Sequence, residues 1–391
     1  MKTQLNDDEK REFYRDGFFV LRNIIPEDFV TAAQRRYKAA KPGDDLTYES
    51  VFTDLVNKTP LTPIVQELMG DFDPPYGTRH IVRPKGQKPG ERYGMLGYKD
   101  KDIPYYGADL HIDGQAVFLP PQEPAEGRPD EIYDRYISTG RVNKGRSADT
   151  VGINFSPLFH DPEMTNSLGG FTAFLFICLS DQSMPGGGQT NVLKGAHHVA
   201  EDFFRWQYRI NGCLGNEGPG WPRLNHDVPN RCGYRHLPEK IIERFTDETS
   251  ECTPDGVRWP RPTPVMMKPG DATIAMYHIP HGGSRNENGI SARKSPIFAL
   301  VNKKRQPKKI QGGYSDHPDR AWDGGYLEYE EGNNPFERSK FAMLNMWHEW
   351  DGMQDIVAEE RAKAGKSNAV FELSNKGVAS EQEEELVVSR E

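Results

Sequence analysis

From about Thr78 onward the chain is written as short apolar runs, each closed by glycine or proline, and this rhythm constrains the fold more than any other feature. The runs fall at residues 80–83, 110–118, 151–155, 170–179, 190–193, 265–268, 272–277 and 297–302. With 38 glycines and 30 prolines to turn between them, they predict a mainly β chain folded as a sandwich or closed double sheet. Flanking helices come first. Asn6 with Glu9 three positions on forms a capping box for an opening helix that ends at Asp16-Gly17. The run Phe18-Phe19-Val20-Leu21 predicts a short buried strand, Pro26 opens a second helix through Val30, Ala33 and Tyr37, and residues 55–68 predict a third, ending at Gly70.

Two stretches break the rhythm. Residues 120–150 are polar and charged, and residues 201–262 are rich in Trp, Pro and Gly without periodicity. Long insertions of this kind in a compact domain usually serve as lids or binding loops, with surface decoration or an oligomer contact as the alternative. The division expected is a core domain over 1–310, carrying the N-terminal helices and both insertions, and a C-terminal extension over 311–391. In that extension residues 341–363 predict a helix, and Glu383-Glu384-Glu385 lies in an acidic tail.

Composition excludes some classes. No run approaches the roughly 20 apolar residues of a membrane span, and the first residues lack the apolar segment of a secretory signal. The four cysteines show no C-x-x-C spacing, which suits reduced thiols and a cytoplasmic location. A net charge of −9 argues against a nucleic-acid partner. A small-molecule substrate is the expected partner; oligomeric state is not legible.

The chemistry-bearing residues are His111 and Asp113, in Asp109-Leu110-His111-Ile112-Asp113-Gly114. Side chains alternate along a strand, so an H-x-D pair places imidazole and carboxylate on one face. A second such triplet, His317-Pro318-Asp319, has proline between its polar residues, which argues against a central strand. A further histidine comes from Met276-Tyr277-His278-Ile279-Pro280-His281-Gly282-Gly283. The glycines after His281 leave room for a metal and its ligands, so His281 is the expected ligand and His278 a packing or supporting residue. Two histidines and one carboxylate with open positions make the facial triad of non-haem Fe(II) oxygenases. Arg293 follows His281 by twelve positions and could hold a carboxylate through its fork. Ser295 shares its strand face.

From Asn6 to about Asn302 the chain resembles the phytanoyl-CoA dioxygenase family of Fe(II)/2-oxoglutarate oxygenases. The resemblance rests on Leu5-Asn6-Asp7-Asp8-Glu9 leading to Tyr14-Arg15-Asp16-Gly17-Phe18, and on His111-Ile112-Asp113. It continues through Gly187-Gly188-Gln189-Thr190-Asn191-Val192-Leu193-Lys194-Gly195-Ala196-His197, Lys268-Pro269-Gly270-Asp271, His281-Gly282 and Arg293. Lys194-Gly195-Ala196-His197 departs from the family's Pro-Gly-Ser-His-like turn, and the two insertions are larger than the family's.

The resemblance implies a double-stranded β-helix (jelly-roll, cupin-like) core with Fe(II) held by His111, Asp113 and His281. It implies 2-oxoglutarate as cosubstrate, its far carboxylate on Arg293 with Ser295 as a weaker partner, and O2 as the second cosubstrate. The reaction implied is hydroxylation of a small organic metabolite with release of succinate and CO2. A carboxylate at Asp113 fills the position that related halogenases leave open for chloride. Two other readings stay open on the residues alone: a cupin-like metalloenzyme without 2-oxoglutarate, and a catalytically silent β-barrel that binds a partner.

Overall fold

Asn6 caps the first helix in the computed structural model as its sequence requires. Its side chain accepts from the Glu9 amide while Glu9 accepts from the Asn6 amide, both at 3.0 Å, and Gly17 in the left-handed region (φ 79°) ends the helix. The structure describes residues 4–87, 110–112, 118–119, 165–166, 171–211, 214–215, 220, 237–250, 258, 260–304 and 341–371. Asp113, His317, the expected strand at 151–155, the insertion 120–150 and the acidic tail lie outside them.

Helix α1 (Asp7–Asp16) leads into strand β1 (Phe18–Leu21), then α2 (Glu27–Ala39). The single helix expected over 55–68 is two: α3 (Ser50–Asn57) and α4 (Leu61–Met69). Pro60 has no N–H to continue the ladder. The freed carbonyls of Leu55 and Val56 accept instead from the hydroxyls of Thr59 and Thr62, each at 2.7 Å.

The strands that follow are β2 (Arg79–Arg83), β3 (Phe118–Leu119), β4 (Thr165–Asn166), β5 (Ala173–Ile177) and β6 (Thr190–Val192). Beyond helices α5 (Ala196–Asn211) and α6 (Glu239–Arg244) come β7 (Thr263–Pro264), β8 (Ala272–Met276), β9 (His281–Gly283) and β10 (Arg293–Leu300). Five strands form one antiparallel sheet in the order β1-β8-β5-β10-β2, and three form a second in the order β7-β6-β9. His111 adds to the free side of β9 through a bridge to His281. From β2 onward the chain therefore passes back and forth between the sheets, with β5, β8 and β10 in one and His111, β6, β7 and β9 in the other.

Each face of the larger sheet has its own core. Leu175, Ile177, Ile274, Met276, Phe298 and Leu300 pack against the helices. Phe174, Phe176 and Ala275 face the other way, into a cluster that also holds Val192 of the smaller sheet, with Ile297 and Ala299 packed against it. The alternation along β5 thus divides one strand between two cores.

Three further expectations change. Residues 201–262 are not wholly aperiodic, because α5 occupies 196–211. It buries Ala196, Ala200, Phe203, Phe204 and Gln207, the spacing of one helical stripe. β10 begins at Arg293, not at 297, and runs through Pro296. Pro296 pairs with His80 of β2, and the ladder to β5 starts only at Ile297, so the missing N–H removes no ladder bond. The strand expected at 265–268 is β7 at 263–264, with Met267 retained as a bridge to Gln182.

The C-terminal segment is not one helix over 341–363. A short turn of helix at 341–344 is followed by turns, a 3-10 turn (Asp351–Met353) and α7 (Gln354–Lys363). Trp347, Trp350, Met353, Ile356 and Val357 join the same core as α1 and α4. Phe13 meets the Trp347 and Trp350 rings edge-on, at 5.8 and 4.8 Å between centroids. Among the described residues no helix is long and apolar enough to cross a membrane.

Candidate active site

His111 and His281 lie side by side across the bridge that extends the smaller sheet. Their backbones exchange two hydrogen bonds, His111 N to His281 O at 2.8 Å and His281 N to His111 O at 2.9 Å. Residues that exchange both bonds stand directly opposite and project to the same face. The rings accordingly sit 4.6 Å apart between centroids, at 47°. Both histidines are buried.

The space between the sheets receives them. Phe174 of β5 meets the His281 ring edge-on at 4.7 Å, and Phe176 lies at 6.1 Å. His281 Nδ1 is 3.1 Å from the Ile279 carbonyl. A carbonyl can only accept, so Nδ1 carries the proton and the lone pair is on Nε2. That is the tautomer a metal-binding histidine needs, with its other nitrogen fixed by the backbone.

His278 packs against the Tyr277 ring, 3.6 Å between centroids, and near Phe204 of α5 at 6.2 Å. His197, the histidine of the Gly-rich motif, is fully buried elsewhere. Its Nε2 and that of His198 both donate to the Tyr14 carbonyl at 2.9 Å, tying the start of α5 to the end of α1. Among the described residues no three of His, Cys, Asp and Glu converge. Two members of the expected triad are adjacent, and the third position, Asp113, falls outside the described residues.

Arg293 opens β10 and is almost wholly buried. Its Nη1 donates to the Gly188 carbonyl and its Nη2 to Thr190 Oγ1, both at 2.7 Å, and its Nε reaches Ser295 Oγ at 3.3 Å. Arg293 and Ser295 therefore share a face, as their spacing predicts. Gly188 (φ 76°) makes this grip possible. A Cβ there would stand 3.0 Å from the Asn286 Cβ and 3.5 Å from that of Arg293, in a backbone conformation that side chains disfavour. Ser295 also accepts from Gln182 Nε2 at 3.2 Å. Burial pushes the nearby Cys178 thiol up to about 12, so it is no nucleophile.

The β6 register relates the two halves of the site. Val192 stands opposite His281 and Thr190 opposite Gly283, and Thr190 is the residue Arg293 touches. The arginine grip is thus two residues along β6 from the histidine row, about 6.6 Å at the usual strand rise. Gly188 and Thr190 as partners of this arginine, and Gln182 as the partner of Ser295, are not foreseen from the sequence. Gly188 and Thr190 lay within a motif already singled out, and the reason for a left-handed glycine there was the available signal.

No family model matches the chain, and no curated protein matches it. Among solved structures it is similar to HygX from Streptomyces hygroscopicus with nickel and 2-oxoglutarate bound. That similarity has 14% identity and a TM-score of 0.38, covering 76% of this chain and 87% of that one. It is also similar to the epimerase SnoN in complex with Fe3+, alpha ketoglutarate and nogalamycin RO, at 12% identity and TM-score 0.39, covering 75% and 82%. A third is SnoK, a non-heme alpha ketoglutarate dependent carbocyclase from nogalamycin biosynthesis, at 13% identity and TM-score 0.37, covering 76% and 83%.

Proposed function

We propose that this chain is an Fe(II)- and 2-oxoglutarate-dependent oxygenase of the phytanoyl-CoA dioxygenase kind. It would hydroxylate a small organic metabolite, consuming O2 and releasing succinate and CO2. The observation that carries the reading is the placement of His111 and His281 as a facing pair, with Arg293 two strand positions away on the same inter-sheet face. The back-and-forth passage of the chain between two antiparallel sheets supports a double-stranded β-helix as the scaffold.

The donor set fits the metal. Two imidazoles on one face, one with its tautomer fixed by the Ile279 carbonyl, suit Fe(II) when a carboxylate completes the facial triad. Asp113 follows His111 by two residues, and an extended continuation of that strand would bring its carboxylate to the same face. The separation also fits the cosubstrate. The end carbons of a five-carbon diacid are about 5 Å apart at bond lengths of about 1.5 Å, comparable to a two-residue strand step of about 6.6 Å.

When bound, the iron and 2-oxoglutarate supply the oxidative chemistry. The chain supplies position. His111, His281 and Asp113 would hold the iron on one side and leave the opposite side open. Arg293, itself fixed by Gly188, Thr190 and Ser295, would orient the far carboxylate without having to reorganise. Phe174 and Phe176 keep the space beside His281 apolar and so exclude water from it.

The test is the release of succinate from 2-oxoglutarate by the Fe(II)-loaded protein. Wild type is expected to turn over, and Asp113→Ala to lose turnover by at least a hundredfold. Retention of wild-type succinate release by Asp113→Ala would sink the triad assignment.

A further inference from the structure

Along β10 the residues that face the smaller sheet change from sealed to accessible. Arg293 and Ser295 are buried, whereas Ile297 and Ala299 on the same face are half-buried. The opposite face shows no such change, since Pro296, Phe298 and Leu300 are buried throughout. The inter-sheet space is therefore closed at the Arg293 end and opens toward Ile297 and Ala299. These two stand directly opposite Phe176 and Phe174 of β5, the rings beside His281. The opening thus has an apolar floor that reaches the histidine pair.

Strand β2 brings a charge to that floor. Arg79 is paired directly with Ile297, and directly opposed residues of an antiparallel pair project to the same face. The row across the sheet reads Arg79, Ile297, Phe176, so Arg79 stands two strand spacings, about 10 Å, from the Phe176 backbone. It is exposed, at the open end of the face. The backbone on either side of it is held. Thr78 donates from its amide to the Thr47 carbonyl at 2.9 Å and from its hydroxyl to the Ile297 carbonyl at 2.8 Å. On the other side the Tyr37 hydroxyl and His80 Nδ1 meet at 2.6 Å. A guanidinium with a fixed root beside an apolar floor suits a ligand that has an apolar body and a carboxylate.

We infer that Arg79 anchors the primary substrate, and that this substrate is a small carboxylic acid with an apolar or aromatic body. Its carboxylate lies against Arg79 at the opening, and its body extends over Ile297 and Phe176 toward the two histidines. The inference rests on the proposed oxygenase function and deepens it by naming the substrate class. Arg79 selects and orients the substrate and takes no part in bond making. An arginine engaged only in a surface ion pair would contribute little and would not discriminate between charged and neutral ligands.

The experiment is calorimetric titration of the full chain, loaded with Mn(II) as a redox-inert metal and saturated with 2-oxoglutarate. The probes are 4-phenylbutanoate and 4-phenylbutanamide, which match in shape and differ in charge. Wild type is expected to bind the acid about tenfold or more tightly than the amide, the worth of a charge-assisted bond. Arg79→Gln is expected to lose that preference while leaving the amide and 2-oxoglutarate within twofold of wild type. Arg79→Lys, which keeps the charge and loses the fork, should fall between. Ala299→Phe, which fills the floor, should weaken acid and amide alike. Thermal unfolding without ligand should show Arg79→Gln as stable as wild type, because the side chain is exposed. Equal binding of the two probes by wild type, or a preference for the acid that survives in Arg79→Gln, would overturn the role of Arg79 while leaving the oxygenase reading intact. A Mn(II)-loaded chain that binds no 2-oxoglutarate would overturn the oxygenase reading itself, and the substrate class with it.

Discussion

Glu201 of α5 and Arg361 of α7 should be coupled strongly enough for a double substitution to undo much of the damage of the single ones. Both are buried, 4% and 7% exposed, and Arg361 Nη2 donates to the two carboxylate oxygens at 3.0 and 2.9 Å. Arg205 adds a bond to Glu201 Oε1 at 3.1 Å, and it also donates to the Leu344 carbonyl at 3.0 and 2.9 Å. Burial pushes the Glu201 carboxyl upward, against the pull of Arg205 and Arg361. The net value of the pair is therefore small, but either charge left alone is expensive. Glu201→Leu strands Arg361 in the interior and should cost about 3–5 kcal/mol. Arg361→Met should cost less, because Arg205 still serves Glu201. The double variant Glu201→Leu/Arg361→Met removes both charges and should be more stable than Glu201→Leu alone, with a coupling energy of about 2–3 kcal/mol. Urea unfolding with unchanged m-values is the assay. Single-substitution costs that add within about 0.5 kcal/mol would refute the reasoning, and would mean that α5 and α7 are not joined through this pair.

Other consequences can be checked on the same material. Burial, outweighing the Tyr14 carbonyl, depresses His198 to about 4, and burial also holds His197 well below its usual range. Unfolded histidines take protons near 6.5, so between about 6.5 and 4 the unfolded chain binds more protons than the folded one. Stability is then full above that window and declines as pH falls through it; His198→Gln should flatten the decline measured by urea unfolding at pH 7, 6 and 5. Gly188→Ala should cost about 1–2 kcal/mol for the left-handed backbone and weaken 2-oxoglutarate binding, since the displaced carbonyl is a partner of Arg293. An unchanged affinity with lowered stability would separate Gly188 from the site.

Much of this architecture was legible residue by residue. The Asn6–Glu9 capping box, the apolar run of β8 and the glycines after His281 each state a local rule that the fold obeys. Others were legible but misread. Pro60 divides α3 from α4 by removing one N–H, and the stripe from Ala196 to Gln207 has helical spacing although its later neighbours have none. Pro296 suggested that β10 began after it, because the sequence does not say that β5 stops pairing one residue earlier. The site divides in the same way. That His111 and His281 lie together, and Arg293 with Ser295, follows from residue type and spacing. Thr190 and Gln182 are not legible in this way, because their contacts with Arg293 and Ser295 depend on how distant segments pack together. The same holds for Trp347 and Trp350: nothing local shows that they close over Phe13.

The most direct measurement is anaerobic titration of the metal-free protein with Fe(II) and 2-oxoglutarate, followed in the visible range. The account predicts a weak charge-transfer band that appears only with both present and is lost in Arg293→Ala and Asp113→Ala. Iron that binds without any band, or a band that survives both substitutions, would contradict it.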